Sequence, residues 1–193
     1  MVELAATVAR RAAEQVTLVL PEGAEVAVRP ACADDLSSVL ELHERCSPRS
    51  RHRRYLGGAA LPQPARLRRL LEPSRGLTMV ATTSDGAAES VVAMANLLGE
   101  GDEAEVALLV RDDWQRRGLG SALLRRLARH ADQAGYAALL LHVQAENTPM
   151  LRTVRRLDRP GSADRDGALL TLTLPLVAPR PVEAASTFLS SGA

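Results

Sequence analysis

The feature that most constrains the fold is an apolar segment that runs into a glycine-containing turn and then into an amphipathic helix. Residues 104–110, AEVALLV, predict a strand, and the polar turn RDDWQ follows it. The next helix begins near Gly118, carries leucines on one face and arginines on the other, and stops at Gly135. Residues 136–143 are apolar almost throughout and predict a strand covered on both faces. Because strand–helix–strand crossovers are right-handed, we expect the two strands to run parallel in one sheet.

The rest of the chain predicts a mixed α/β fold of the α+β type, with a mostly antiparallel sheet around this crossover. The 193 residues fit one domain with a sizeable core. We expect an N-terminal helix and strand extension at 1–20, the main domain at 21–177 and a C-terminal tail at 178–193. Helices are predicted at 3–15, after a cap at Asp34, at 65–71 and at 149–157, and further strands at 16–20, 25–29, 77–83, 90–98 and 168–174.

A segment rich in Pro, Gly and Arg, residues 47–64, is interpreted as a connection between elements. Its arginines are interpreted as a solvated face, with an acidic partner or a phosphate as the alternative. His43 falls on the apolar face of the helix after Asp34, and His142 lies in an apolar strand, so both are expected to pack rather than to catalyse. The arginine cluster consists of Arg49, Arg51, Arg53 and Arg54.

Composition narrows the classes of function. A net charge of +1 offers no excess of basic charge to suggest a nucleic-acid or membrane partner. The aromatic residues are only Tyr55, Trp114, Tyr136 and Phe188, so stacking platforms for bases are nearly excluded. All 24 basic residues are arginine, and the absence of lysine excludes a Walker A phosphate loop.

The cysteines and histidines predict neither a disulfide scaffold nor a metal site. Cys32 and Cys46 lie too far apart for a CxxC pair and indicate reduced thiols. His52, His130 and His142 lack metal-ligand spacing with one another and with the cysteines. The N-terminal segment lacks the apolar stretch of a signal peptide, and no apolar run is long enough to span a bilayer. We therefore expect a cytoplasmic protein without a metal.

The turn QRRGLG has the chemistry of an anion site. A strand that leads into a helix N-terminus exposes unpaired backbone N–H groups at the positive end of the helix dipole. Gly118 and Gly120 let a phosphate approach that backbone, and Arg116 and Arg117 add charge. A plain glycine-containing helix start is the alternative. The dinucleotide fingerprint GxGxxG fails, because Leu123 occupies the position of its third glycine.

The pattern Q/R-x-x-G-x-G/A at this place resembles the GNAT superfamily of acyl-CoA-dependent N-acetyltransferases. The resemblance covers residues 26–175 and includes AEVALLVRDDWQRRGLGSALL, HVQAENTPMLRTVRRL and VRPACADDLSSVLELHERCSPRSRHRRY. The third segment is similar to a subgroup that contains bacterial protein lysine acetyltransferases and their single-domain relatives. The resemblance implies a twisted, mostly antiparallel sheet whose fourth and fifth strands are joined by a parallel crossover and splay apart to hold the pantetheine arm of acetyl-CoA.

The resemblance also implies a set of cofactor-binding residues. Main-chain groups around Leu109 and Val110 would bond the pantetheine amides, and Asn147 would lie near the cofactor or cap the next helix, uses that can coexist. The pyrophosphate would be enclosed by Gln115, Arg116, Arg117, Gly118, Leu119, Gly120 and Ser121.

Catalysis is expected to depend on Glu105. An alkylamine has a pKa of about 10.4, so a base must accept its proton at neutral pH. In the resembling protein acetyltransferases a glutamate at the position of Glu105 acts as this base, and Asp102 and Glu103 are neighbours that could substitute. The tyrosine that many members use as general acid is replaced by Val154, which leaves the thiolate to be protonated by solvent. A second departure, Asp158 with Arg159 where many members have Gly-Phe, is expected to loosen the last hairpin.

The favoured function is direct transfer of the acetyl group of acetyl-CoA to a primary amine. The resemblance favours a protein lysine as acceptor, and a small amine, an amino acid or an aminoglycoside-like compound stays open. The alternative is a CoA-binding regulatory module without catalysis. Neither a nucleic acid nor a membrane is expected as a partner, and a homodimer stays open.

Overall fold

A computed structural model describes residues 15–58, 60–73, 76–85 and 88–176 of the chain. All but the last residue of the predicted helix at 3–15, and the predicted tail at 178–193, lie outside the described residues. The strands are β1 (Val16–Val19), β2 (Glu25–Pro30), β3 (Gly76–Asp85), β4 (Ala88–Glu100), β5 (Glu103–Val110), β6 (Ala138–Gln144), β7 (Ser162–Asp166) and β8 (Leu169–Pro175). The helices are α1 (Leu36–Arg45), α2 (Pro48–Tyr55), α3 (Pro64–Leu71), α4 (Leu119–Ala134) and α5 (Thr148–Arg155), with single 3-10 turns at Ala33–Asp35 and Asp112–Trp114.

The described strands form one sheet in the order β1-β2-β3-β4-β5-β6-β8-β7. The pair β5 and β6 is parallel, as the crossover predicts, and the other neighbouring strands are antiparallel. The fold class expected from the sequence is therefore confirmed. The predicted strand at 16–20 is β1, which pairs with β2 at one edge of this same sheet.

Helices cover both faces of the sheet, so the sheet is the middle of three layers. On one face α4 buries Leu123, Leu124 and Leu127 in the larger apolar cluster, together with residues of α5. On the other face α1 and α3 pack Val39 and Leu67 against a smaller cluster. Because side chains alternate along a strand, the even-numbered residues of β5 face α4 and the odd-numbered ones face the second cluster.

Helix α2 corrects the prediction of an irregular connection at 47–64. Its sequence, PRSRHRRY, has no apolar spacing that would indicate a helix. Its start is nevertheless well defined, because Pro48 occupies the first turn and the Ser47 hydroxyl accepts a bond from the Ser50 N–H at 3.2 Å. Strand β7 was likewise not predicted, since all five of its side chains are exposed and polar or small.

The cap before α1 also differs from the prediction. Asp35, not Asp34, is the residue that organises this segment: its Oδ2 accepts from the Cys32 N–H at 2.9 Å. Both carboxylate oxygens also accept from the buried Arg29 guanidinium, at 2.9 and 2.7 Å. Asp35 therefore fixes the path from β2 into α1 through a buried bidentate ion pair.

Candidate active site

A cleft of about 400 Å³ opens where β5 and β6 separate. The two strands pair only from Glu103 with Ala138 to Glu105 with Leu140, although both continue beyond these residues. Strand β5 stays paired with β4 along its whole length, and β6 stays paired with β8. The sheet is thus split between β5 and β6, each of which stays paired with its other neighbouring strand. The gap between them exposes main-chain N–H and C=O groups, as the edge of a sheet does.

Main-chain groups of β5 face this gap. The Arg111 N–H donates to the Val92 carbonyl on β4 at 2.9 Å. Because direction alternates along an antiparallel ladder, Leu109 also turns its main-chain groups toward β4, whereas Leu108 and Val110 turn theirs toward the gap. The alternation supports Val110 as a residue that could bond an extended ligand, and it points to Leu108 rather than Leu109 as the other one.

The turn after β5 has the backbone that an anion site requires. Arg116 and Gly118 have left-handed backbone angles, with φ of 63° and 89°. Helix α4 begins at Leu119, and the Ala122 N–H makes a helical bond to the Gly118 carbonyl at 3.0 Å. The N–H groups of the preceding residues in this first turn therefore have no partner within the helix. A Cβ on Gly120 would meet nothing closer than the Val110 Cγ2, at 4.0 Å, so there is open space in front of this backbone.

Most of the residues predicted to form the site line this one cleft, and two do not. Arg117 turns away: its guanidinium lies 4.9 Å from the Trp114 ring centre and 3.7 Å from a Glu22 carboxylate oxygen. The Leu119 side chain is buried in the larger core cluster, so only its main chain is available to a ligand. The predicted residues that line the cleft are Glu105, Leu109, Val110, Gln115, Arg116, Gly118, Gly120, Ser121 and Asn147.

Gln115 and Asp112 join the turn to helix α2. The Gln115 amide donates to the Val110 carbonyl at 2.9 Å and to the Ser50 hydroxyl at 3.0 Å. Asp112 accepts from the Ser47 N–H and the Ser47 hydroxyl at 2.8 Å each, and from the Ser50 hydroxyl at 2.9 Å. These bonds hold the first turn of α2 against the glycine-containing turn after β5, which is some 65 residues further along the chain.

The pKa of the Asp112 carboxyl is lower than its ordinary value. Partial burial acts in the opposite direction, and the hydrogen bonds from the Ser47 N–H and from the Ser47 and Ser50 hydroxyls outweigh it. Asp112 is therefore ionised at neutral pH, when it binds the start of α2 most strongly.

The segment after β6 explains three of the sequence features. The Asn147 side chain accepts from the Met150 N–H at 3.4 Å and caps α5, so the capping role is present while the residue also lines the cleft. Val154 is buried in the core and does not line the cleft. Asp158 has a left-handed φ of 52°, a conformation that glycine adopts readily and Asp tolerates. Arg159 pairs with Asp132 through both guanidinium nitrogens, so these replacements for Gly-Phe fasten the segment rather than loosen it.

Two residues of the arginine cluster belong to the cleft, which the interpretation as a solvated face missed. Arg53 and Arg54 line it beside Glu105. The Arg54 Nη2 donates to Asn96 Oδ1 at 2.7 Å, and burial lowers the pKa of Arg54 against the opposing effect of Tyr55 and Glu105. No sequence signal separates these arginines from exposed Arg49, because the helix that directs them was itself not predicted.

Arg51 has a third role, since its Nη1 donates to the carbonyls of His43, at 3.0 Å, and Cys46 at the end of α1. Its charge there complements the negative end of the α1 dipole.

The two histidines expected to pack do so in different ways. His43 is fully buried, and because a carbonyl can only accept, its Nδ1–H donates to the Val39 carbonyl at 2.6 Å. Its Nε2 then accepts from the Tyr55 hydroxyl at 2.6 Å. Burial lowers the pKa of His43, in agreement with a neutral ring. His142 is only half-buried, lies 3.1 Å from the Thr171 hydroxyl and lines the cleft.

Along the described part of the chain, no group of three or more His, Cys, Asp or Glu residues is arranged to hold a metal ion. No helix among the described residues has the length and apolar content that a membrane crossing requires.

A divided sheet with open main-chain groups and a glycine turn at the helix that follows is the arrangement that the resemblance of the sequence implied. Residues 36–158 match the acetyltransferase (GNAT) family. The chain belongs to this family. It is an N-acetyltransferase whose cosubstrate is acetyl-CoA, as the GNAT resemblance of the sequence implied.

Relatives place this GNAT acetyltransferase near bacterial enzymes. It is 27% identical over 151 residues to an acetyltransferase of Pseudomonas aeruginosa, which covers 76% of this chain and 81% of the relative. It is 29% identical over 147 residues to the acetyltransferase Pat of Mycolicibacterium smegmatis. That match covers 75% of this chain and only 44% of Pat, so the chain spans less than half the length of that relative.

A solved structure shows the same fold. The GNAT domain of the S. lividans acetyltransferase PAT superimposes with a TM-score of 0.77 at 24% identity, covering 86% of this chain and 98% of that domain.

Proposed function

We propose that the GNAT acetyltransferase holds acetyl-CoA in the divided sheet and transfers its acetyl group directly to a primary amine. The observation that carries this proposal is that the gap between β5 and β6 leads from the turn at Gly118 and Gly120 to the carboxylate of Glu105 within one cleft. A ligand with a diphosphate at one end and a reactive group at the other matches the chemistry of that path.

We assign the cofactor contacts as follows. The main-chain N–H groups from Leu119 to Ser121, helped by Arg116, bind the diphosphate, and the main-chain groups of Leu108 and Val110 bond the pantetheine amides. Bound acetyl-CoA supplies an acetyl group activated as a thioester. Gln115 acts through the turn, because its side-chain amide holds Val110 and Ser50 together rather than reaching for the ligand.

Glu105 is the proposed general base. It lies on β5 at the last residue pair before β6 separates, its side chain is exposed to the cleft, and no hydrogen bond or ion pair with another described residue occupies it. A carboxylate in this position can accept the proton that a primary amine must lose before it attacks. The buried Val154 offers no acid on the other side, so we propose that solvent protonates the departing thiolate.

The acceptor is proposed to be a primary amine, and a protein lysine is one candidate that the similarity to Pat supports. Two buried free cysteines, Cys32 and Cys46, support a cytoplasmic location. A homodimer stays a prediction.

Release of the CoA thiol, measured over a panel of primary amines, tests the function. Glu105→Gln is expected to lower kcat by about 10²- to 10⁴-fold and to leave CoA affinity within a factor of two or so, because it removes a proton acceptor and keeps the shape. Glu103→Gln on the same strand is the matched control, since Glu103 does not line the cleft. An unchanged kcat in Glu105→Gln would refute the assignment of the base. CoA binding without release of thiol from any amine would favour the regulatory module instead.

A further inference from the structure

The acceptor end of the cleft holds charged groups whose hydrogen-bonding capacity the described residues do not fill. Glu105 has no hydrogen-bond or ion-pair partner among the described residues. The Nε atoms of Arg53 and Arg54 are buried and have no hydrogen-bond partner there. Unfilled donors on a buried cationic group are costly, and an anion bound to the cleft-lining part of these guanidinium groups would offset that cost.

Arg54 is held in place for such a contact. Its Nη2 donates to Asn96 Oδ1 at 2.7 Å. The Asn96 amide in turn donates to the Thr78 hydroxyl at 2.7 Å and to the Leu70 carbonyl at 3.3 Å, and Asn96 is fully buried. A side chain fixed by a satisfied, buried network keeps its direction, so the guanidinium is ordered before a ligand arrives.

Arg54 and Glu105 lie in the same part of the cleft but do not form an ion pair. Asn96 is opposite Ala107 in the pairing of β4 with β5, and Leu98 is opposite Glu105, so Asn96 and Glu105 are diagonal neighbours on one sheet face. Although both Arg54 and Glu105 line the cleft, they do not form a direct ion pair. The space between a cation and an anion suits a molecule that carries the two opposite charges a few atoms apart.

We propose that the acceptor is an amine that also carries a carboxylate, with its nitrogen at Glu105 and its carboxylate at Arg54, assisted by Arg53. The inference rests on the proposed function, because it takes Glu105 as the base. It also excludes a polybasic acceptor, since Glu105 is the single acidic residue among the described residues that line the cleft. The arginines that line it are Arg53, Arg54, Arg116, Arg152 and Arg156.

The same pair of charges has two sources. A free aminoalkanoate or amino acid carries both groups in one small molecule, and a peptide carries them when a lysine lies next to an acidic residue. Both present an ammonium and a carboxylate to the same two side chains, so matched acceptors can distinguish the sources.

The test compares acceptors that differ only in that carboxylate. The value of kcat/KM is measured for 4-aminobutyrate against 4-aminobutyramide, and for a peptide with Lys-Glu against the same peptide with Lys-Gln or Lys-Arg. We expect the carboxylate to raise kcat/KM by about 10- to 100-fold in at least one pair, as a charge-assisted bond to a buried guanidinium would do. The pair that shows the preference identifies the source. Equal use of both members of each pair, or a preference for the neutral or basic acceptor, would overturn the inference while leaving the proposed function intact.

Variants then locate the preference. Arg54→Gln is expected to bring the ratio of kcat/KM between the carboxylate acceptor and its amide close to one, whatever its effect on the amide alone, whereas Arg49→Gln on the exposed side of the same helix is expected to keep that ratio. CoA affinity and thermal melting show whether each variant is folded. If Arg54→Gln does not fold, the comparison of matched acceptors on the unaltered protein decides alone. A folded Arg54→Gln variant that keeps the full preference would contradict the role of Arg54.

Acceptor binding separates this inference from the proposed function. Calorimetric titration of the CoA-saturated protein with 4-aminobutyrate, its amide and the peptides measures recognition without turnover. A carboxylate preference in binding, together with no thiol release from any amine, would contradict the proposed function and support the proposed recognition of the carboxylate. Thiol release with no carboxylate preference in either assay would support the proposed function and contradict the proposed recognition of the carboxylate.

Discussion

In the proposed assignment, the two ends of the cleft recognise their ligands by different means. At the turn, recognition depends on main-chain N–H groups, a glycine at 120 that leaves the backbone open, and left-handed backbone at Arg116 and Gly118. At the other end it depends on side chains, chiefly the carboxylate of Glu105 and the guanidinium of Arg54. A main-chain site suits a ligand part that never changes, such as a diphosphate. A side-chain site can be altered one residue at a time, and so can set the choice of acceptor without disturbing the binding of CoA.

The two ends are nevertheless connected by hydrogen bonds. Asp112 and Gln115, on the turn side, both bond the Ser50 hydroxyl on α2, the helix that carries Arg53 and Arg54. The arrangement predicts that variants of the turn change CoA affinity and that variants of α2 change acceptor kinetics. A variant of the residues that connect the turn to α2 is predicted to change both modestly.

The largest effect is expected at the turn. Gly120→Glu places a carboxylate where we propose that the diphosphate binds, and like-charge repulsion should weaken CoA binding by about 100-fold or more. Gly120→Ala adds a methyl group to open space and should bind within a few-fold of the unaltered protein. Calorimetric titration with CoA measures both, and a similar melting temperature without ligand shows that the fold is kept. Equal affinities for the two variants would place the diphosphate elsewhere.

Arg116 and Arg117 offer a sharper test of the same end. Arg116 lines the cleft, whereas Arg117 is directed at Trp114 and Glu22. We expect Arg116→Gln to weaken CoA binding by about tenfold, the cost of one charge-assisted bond, and Arg117→Gln to change it by less than about twofold. The reverse order would show that the turn presents the other arginine to the phosphates.

Asp112→Asn tests the hydrogen-bonded connection between the two ends. The variant weakens three accepted bonds, and after allowance for solvent screening we expect a loss of about 1 kcal/mol in the free energy of unfolding, with a several-fold rise in acceptor KM. CoA affinity should change less than acceptor KM.

The same carboxylate gives a pH dependence with a definite sign. Because its folded pKa lies below the ordinary value of about 3.9, its stabilisation is complete above that value and is lost as the pH falls through the lower folded pKa. Between about pH 6 and pH 3, the difference in melting temperature between the variant and the unaltered protein should therefore shrink toward the acid end. A constant difference in melting temperature across this range would show that ionised Asp112 does not make the stabilising connection between the two ends.

The smallest effect is expected at Asn147. Asn147→Ala removes a cap whose hydrogen bond from the Met150 N–H is long, 3.4 Å, so the loss in the free energy of unfolding should be about 0.5–1 kcal/mol. Thr153→Ala on the same helix is a control that removes a hydroxyl bonded at 3.0 Å to the Pro149 carbonyl within the helix. A loss of CoA affinity greater than about tenfold in Asn147→Ala would instead show a direct contact with the ligand.

The turn end could be predicted from the sequence because its signals are local. An apolar strand, glycines at 118 and 120 and an amphipathic helix occur within some 30 consecutive residues, and each has its own physical reason. The parallel crossover follows from the handedness of such units and is confirmed. The direction of Arg117 could not be predicted, because it depends on the left-handed backbone at Arg116.

Glu105 was predicted, but the arginines at the acceptor end were missed because the residues that position them are distant in sequence. Helix α2 has no apolar stripe, and its start is held by Asp112, which lies 62 residues beyond Ser50. Arg54 is directed into the cleft by Asn96, 42 residues away, so composition alone made it indistinguishable from a solvated arginine. Strand β7 was missed for a related reason, since only its pairing with β8 identifies it.

A crystal structure of the protein with CoA bound tests the central claim most directly. The account predicts the diphosphate within hydrogen-bond distance of the main-chain N–H groups from Leu119 to Ser121, and the pantetheine arm between β5 and β6 beside Leu108 and Val110. A diphosphate held by other residues, or a pantetheine arm outside the gap between the two strands, would contradict it.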